Sequence, residues 1–182
     1  MSANDDGVIA TTDRLRIRPW RLDEAPMVLD IQSRIEVIKW LGDGEPTPMK
    51  DLDAARESIE RSRARSEEPP LGYWAIEVRE TGQAIGSVML LTVPNAEHGE
   101  VEIGWHLHPG WWGQGYASEA AAAVLAYGLE HGLPEIYALT HLDNYPSQGV
   151  ARRIGMDELG VLEKWYEEPS QAFRAVRPSG RP

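Results

Sequence analysis

From residue 14 to 19 the chain reads Arg-Leu-Arg-Ile-Arg-Pro, apolar and charged by turns, the two-residue period of a strand with one buried face. Pro19 has no N–H to give a ladder and predicts the end of that strand. The period then lengthens. Residues 23–33 begin with an acidic turn and an early Pro26, and Met27, Val28 and Ile31 fall on one helical face. A Gly/Pro-rich loop at 42–48 leads to a more polar helix at 51–65, whose apolar stripe is thin: Leu52, Ala55 and Ile59. Strand patterning returns at 72–79 and 84–93, joined by the hairpin turn Glu80-Thr81-Gly82-Gln83. In a third strand of this group, 100–108, Glu100, Glu102 and Gly104 share one face, and Val101, Ile103, Trp105 and Leu107 share the other.

Residues 118–131 form an Ala-rich helical stretch closed by Gly132 and Pro134. A strand at 135–141, a short helix at 146–154 and a strand at 161–166 complete the order β-α-α-β-β-β-α-β-α-β. Hairpin-linked strands followed by a single crossover helix predict a mixed, mostly antiparallel sheet in an α+β fold, and exclude a doubly wound one. No repeat or long linker divides the chain. The expected organisation is one domain over 12–176, with a flexible start at 1–11 and a tail at 177–182.

Composition narrows the setting. At 182 residues, 42% hydrophobic and 26% charged, the chain has the size and make-up of one globular domain. It contains no apolar run of the roughly 18 residues a membrane helix needs, so no membrane partner is expected. The polar, acidic residues 1–7 resemble neither a secretory signal nor a transit peptide, and cysteine is absent, which together fit a cytoplasmic protein. The lack of cysteine excludes disulfides, thiolate metal ligands and a cysteine nucleophile. His106, His108 and His141 lack carboxylates at zinc-like spacing, and no metal is expected. A net charge of −11 repels nucleic acid and favours a cationic partner, although solubility alone accounts for such a charge.

The chemistry concentrates in Glu102-Ile-Gly-Trp-His-Leu-His-Pro-Gly-Trp-Trp-Gly-Gln-Gly-Tyr-Ala-Ser-Glu-Ala120. A strand ends at His108-Pro109, a loop carries Gly113 and Gly115, and a helix begins. Glycines let backbone approach a bulky anion, and the free N–H groups at the helix start bind phosphate oxygens. A purely structural turn is the plainer reading of Gly-x-Gly. A dinucleotide fingerprint fits poorly: position 118 is Ser, the next acid past the helix is Asp143, and hairpins precede the loop.

This segment resembles motif A of the GNAT superfamily of acetyltransferases, Arg/Gln-x-x-Gly-x-Gly/Ala, matching at Gly115 and Ala117 with Trp112 in the Arg/Gln position. The longer run Trp-Gly-x-Gly-Tyr-Ala-Ser-Glu-Ala resembles the Rim-type branch, whose namesakes acetylate N-termini of ribosomal proteins and in which that Trp is usual. Thr12-Asp-Arg-Leu-Arg-Ile-Arg-Pro-Trp20 resembles the branch's opening strand. Asn144-Tyr-Pro-Ser147 with Arg153-Ile-Gly-Met156 resembles its Asn-x-x-Ser…Lys-x-Gly-Phe segment. The likeness runs from about Thr12 to Tyr166.

The resemblance implies a sheet of six to seven strands with about four helices, splayed between the strands at 100–108 and 135–141, the fourth and fifth expected. It implies acetyl-CoA as the acetyl donor, its pantetheine arm paired with the backbone of Ile103 to Leu107. Trp112, Gly113, Gln114, Gly115, Tyr116, Ala117 and Ser118 would form the pyrophosphate seat, with the N–H groups of Gln114, Gly115, Ala117 and Ser118 as donors. The N–H of Leu107 would polarise the acetyl carbonyl and Glu102 would take the amine proton. Asn144 would hold the cofactor arm, or simply cap the following helix. The tyrosine that protonates the leaving thiolate in many members falls at Ala151, so Ser147 is the candidate acid and Tyr145 the runner-up. Trp40, Glu102 and His141 are candidates for the acceptor site. The expected acceptor is a primary amine, a protein N-terminus or a small molecule, and a non-catalytic acyl-CoA-binding module is the rival from another class. Monomer and homodimer both remain open.

Overall fold

Alternation at the start of the chain becomes pairing. Ala10–Thr11 (β1) and Leu15–Arg18 (β2) form an antiparallel hairpin, and β2 pairs with Gly72–Val78 (β3). Leu15 and Ile17 are fully buried on one face. On the other face Arg16 and Arg18 each meet Glu77 at 2.6 Å, and Arg18 also meets Glu24. Arg18 and Glu77 are both buried, so each charge there has its counter-charge and hydrogen bonds in place. The computed structural model describes residues 7–178. Within the start expected to be flexible, 1–11, β1 is a paired strand; residues 1–6, and 179–182 of the expected tail, lie outside the described residues.

Gln83–Thr92 (β4), Val101–Leu107 (β5), Glu135–His141 (β6), Asp157–Leu162 (β7) and Ser170–Val176 (β8) complete one sheet in the order β1-β2-β3-β4-β5-β6-β8-β7. Every pairing is antiparallel except β5 with β6. Among the described residues the sheet has eight strands, against the expected six to seven. The strand expected at 161–166 lies at 157–162 instead, because β8 inserts between β6 and β7 and fixes the register of both. β8 escapes the sequence pattern because its core side chains are mostly small: Ala172 and Phe173, adjacent in sequence, are both fully buried. The acidic, exposed β7 forms the sheet edge, where charge discourages pairing with other chains.

Among the described residues, five helices flank the sheet: Ala25–Gln32 (α1), the single turn Ile35–Ile38 (α2), Leu52–Arg65 (α3), Tyr116–Glu130 (α4) and Tyr145–Arg153 (α5). The single turn α2 is one more than the four expected. Asp51 starts α3 by accepting the Ala54 N–H at 2.9 Å. Strand β3 shows how the layers divide. Trp74, Ile76 and Val78 enter the larger core with Val124 of α4, whereas Ala75 faces Trp20, Ile31 and Ile59 under α1 and α3. So α4 covers one face and α1 with α3 the other.

Between β5 and β6 the register aligns only at Glu102 and Tyr137, near the start of both strands. Beyond that point the strands part toward Leu107 and His141. Open α/β sheets place their ligand sites beyond the carboxyl ends of diverging strands, and here the gap opens in that direction.

Candidate active site

The gap between β5 and β6 continues as a cleft of about 1230 Å³ that reaches both faces of the sheet. Its β5 wall is unpaired backbone. The N–H of His108 donates to Ile85 on the β4 side, so alternation turns the N–H and C=O of Leu107 and Trp105 and the C=O of Ile103 toward the gap, while the Ile103 N–H lies at the bridge to Tyr137. The Leu107 carbonyl accepts the Trp112 indole N–H at 3.0 Å, which closes the end of this edge and leaves the Leu107 N–H facing the opening. Ile103 and Leu107 line the cleft and bury their side chains in the core behind it.

The loop expected to seat a pyrophosphate has the geometry for it. Gly113 and Gly115 take left-handed backbone, φ 74° and 81°, a region that disfavours other residues. Gly115 is the N-cap of α4, and the helical ladder begins with the Glu119 N–H bonded to the Gly115 carbonyl. Among the described residues, no acceptor takes the N–H groups of Gly113, Gln114, Gly115, Tyr116, Ala117 or Ser118. Six unpaired donors thus stand at the positive end of a 15-residue helix, an arrangement able to bind an anion. Trp112 and Gly113 line the cleft directly, and residues 114–118 lead out from it.

This turn is held from outside. Arg14 bonds the Gln114 carbonyl at 2.9 Å and Glu119 at 2.6 Å, and stacks over the Tyr116 ring. Thr12 and the Arg14 N–H also reach the Glu119 carboxylate. Burial pushes the Glu119 acid upward, but these partners outweigh it and hold it below its ordinary range. On the other side Arg153, which lines the cleft, donates to the Ser118 hydroxyl at 3.0 Å.

Glu102 lies in the cleft at the point where the strands part. Burial pushes its carboxyl up to about 7; a hydrogen bond from the Tyr166 hydroxyl, 2.5 Å, pulls the other way, and the nearby Asp43 charge adds to the rise. Burial and the Glu102 charge raise the Tyr166 phenol in turn, so it stays protonated and serves as a donor. Glu100 contrasts with its neighbour: the His98 N–H and its own backbone N–H hold it at about 2, with Lys164 contributing less. Of these two carboxylates, Glu102 is the one poised to exchange a proton near neutral pH.

Tyr166 and Asp43 were not legible in the sequence. The expected strand at 161–166 is instead a loop at its C-terminal end, and the contact spans 64 residues. Trp165 adopts φ 75° and is buried against Tyr137, with its carbonyl bonded by Asn95. That anchoring holds Tyr166 toward Glu102. The next residue, Glu167, donates its N–H to Asp43 at 3.0 Å, which joins this loop to the glycine-rich loop after α2.

The other expected residues are placed as follows. Asn144 is buried in the cleft wall, and its side-chain oxygen caps α5 by accepting the Ser147 N–H at 3.3 Å, the capping reading. Ser147 and Tyr145 both line the cleft, Tyr145 being 71% exposed. Trp40 lines the opposite side. His141 packs edge-on against Trp40, ring centres 5.9 Å apart, and the cleft lining reaches Trp40 but not His141. Trp20 is a core residue whose indole donates to Ser87. His106 is buried next to Gln32, and burial alone pushes it down to about 4, so it stays neutral.

A slot with unpaired strand edge along one side and unpaired amides at its mouth fits a long, anionic, amide-bearing coenzyme. Residues 14–157 match the family described as the acetyltransferase (GNAT) domain. An uncharacterized N-acetyltransferase, p20, of Bacillus licheniformis is 30% identical over 155 residues, covering 85% of each chain. Among solved structures, Mycobacterium smegmatis RimJ in complex with CoA-disulfide is similar with a TM-score of 0.73 at 20% identity, covering 91% of this chain and 85% of that one. Ribosomal-protein-S5-alanine acetyltransferase from Vibrio fischeri is similar with a TM-score of 0.75 at 13% identity, covering 95% and 98%. A family match over most of the chain, on a sheet that parts where that family's sheets part, means that this protein belongs to the GNAT acetyltransferases.

Proposed function

We propose that the protein transfers the acetyl group of acetyl-CoA to a primary amine, namely the N-terminal amine of a peptide or protein. The observation that carries this reading is the Glu102–Tyr166 pair at the parting of β5 and β6, with the open Leu107 N–H on the same strand. Acetyl-CoA supplies the acetyl group activated as a thioester. The N–H groups from Gly113 to Ser118 would hold its pyrophosphate, the open edge of β5 would pair with its amide-bearing arm, and Asn144 would bond that arm through its remaining amide hydrogens.

An ammonium group cannot attack a carbonyl. Glu102, with its carboxyl near 7, is ionised in a large fraction of molecules at neutral pH and basic enough to accept the amine proton. Tyr166 fixes the direction of that carboxylate. The Leu107 N–H would donate to the carbonyl oxygen as charge gathers there, a contribution of about 3 kcal/mol where one such donor is lost. As the new C–N bond forms and the C–S bond breaks, the sulfur needs a proton or a hydrogen bond, and the Ser147 hydroxyl is the candidate donor.

The Rim-type motif and the ribosomal-protein acetyltransferase among the fold neighbours support a peptide amine. So does the cleft, which continues past Glu102 under α3 and leaves room for more than an amine. The test is free-thiol release from acetyl-CoA with short peptides, polyamines, amino acids and aminoglycosides offered in turn. Turnover on peptides blocked by N-terminal methylation of both amine hydrogens should vanish. Tight coenzyme binding with no thiol release from any acceptor would overturn the enzymatic reading.

A further inference from the structure

The acceptor half of the cleft is electrically lopsided. Among the described residues, Asp43 and Glu102 are the carboxylates that line the cleft, and both stand beside Tyr166. At the far end α3 presents Ser58, Arg61, Ser62 and Arg65, spaced i, i+3, i+4 and i+7 and therefore on one helical stripe facing the same space. Two arginines on a cleft wall are notable in a chain of net charge −11. Their charges are not consumed locally. Arg61 makes one long, exposed contact with Glu57 at 3.8 Å, and Arg65 makes no ion pair among the described residues. Arg63, two positions from each, is instead tied to the Trp20 carbonyl, so one arginine of α3 holds the helix in place and these two are left toward the cleft.

The sheet sets the distance between the two ends. Tyr73, Met89 and Gly104 lie opposite one another across β3, β4 and β5, and α3 packs on β3. The Arg65 charge is close enough to Tyr73 to oppose the rise that burial gives its phenol, which stands at about 12. Two strand spacings separate Tyr73 from Gly104, and Glu102 lies two residues further along β5. The diagonal is on the order of 10 Å.

We infer that the preferred acceptor is a peptide whose N-terminal amine sits at Glu102 and whose side chain at about the third residue carries a carboxylate bound by Arg61 and Arg65. An extended chain advances about 3.3–3.6 Å per residue, so three residues span the gap. The inference rests on the peptide-amine reading above and adds the sign and position of a specificity charge.

Two amidated tetrapeptides test it: Ala-Ala-Asp-Ala and Ala-Ala-Asn-Ala, compared by kcat/KM for thiol release. The Asp peptide should be preferred by roughly tenfold, the worth of one charge-assisted contact in a half-buried cleft. In the double variant Arg61→Gln/Arg65→Gln the ratio should fall to about one, through a rise in KM for the Asp peptide rather than a fall in kcat. Calorimetric affinity for coenzyme A reports that the variant is folded. Equal use of both peptides by the unmodified protein would overturn the inference and leave peptide acetylation standing. A preference that survives in the double variant would overturn the assignment to the arginines. Coenzyme binding with neither peptide acetylated would overturn the peptide reading itself.

Discussion

Glu102 shows how one carboxylate is made different from its neighbours by place alone. Glu100 stands just before β5 and Glu102 is the second residue of that strand, yet backbone N–H groups hold the first at about 2 and burial pushes the second to about 7. If Glu102 is the base, kcat should fall by about a hundredfold or more in Glu102→Gln, with coenzyme affinity by calorimetry unchanged. The ionised form is the active one, so kcat/KM in the native protein should rise with pH through a midpoint near 7. Tyr166→Phe removes a hydrogen bond that favours the ionised form, and the same limb should move to higher pH. Stability follows the opposite sign. The folded value lies above the unfolded one, so folding favours the protonated acid, and Glu102 contributes less to stability as pH rises from about 4.5 through about 7. Glu102→Gln should therefore melt higher than the native protein at pH 8 and show a smaller gain at pH 5.

At the scale of elements, the start of α4 is a fragment of helix whose first donors the chain leaves unused, and whose position β2 and its preceding turn decide through Arg14 and Thr12. Gly115→Asp places a side chain on a left-handed residue, with its Cβ 3.4 Å from an Arg14 nitrogen, and adds negative charge beside the anion seat. Coenzyme affinity should fall at least about tenfold, the cost of about 1.4 kcal/mol, and the strained backbone should lower the melting temperature by only a few degrees, leaving the protein folded at the assay temperature. Retained affinity would remove the loop from the binding site. This loop was legible because its glycines and helix start are contiguous in sequence. The loop carrying Tyr166 was not, since Trp165 and Asn95 set its course from 70 residues apart.

For the molecule as a whole, one buried ionic cluster ties β2 to β3 and to the turn before α1. Glu77 sits at its centre. Burial pushes its carboxyl up, but hydrogen bonds and charge from Arg18 and Arg16 prevail and hold it below the ordinary range. A depressed carboxylate contributes stability above its unfolded value of about 4.5, and that contribution is lost as pH falls through the lower folded value. Glu77→Gln leaves Arg18 buried with less compensation and should lower unfolding free energy in urea by about 3 kcal/mol at pH 7. The difference from the native protein should shrink as both are acidified below pH 4.

The sequence by itself determined what is local: the two-residue period of β2 to β6, the helical faces of α1, α3 and α4, and the Gly-x-Gly turn into α4, because each is written within one stretch of chain. It also determined the crossover from β5 through α4 to β6, since strand, helix and strand follow one another in the chain. What only tertiary structure decided is where distant stretches meet. β8 slips between β6 and β7 although it follows both, Tyr166 reaches Glu102, and Arg61 and Arg65 come to face the same cleft as a carboxylate more than thirty residues on. A side chain's acidity and partners depend on what surrounds it in space, and packing of separate elements supplies those surroundings.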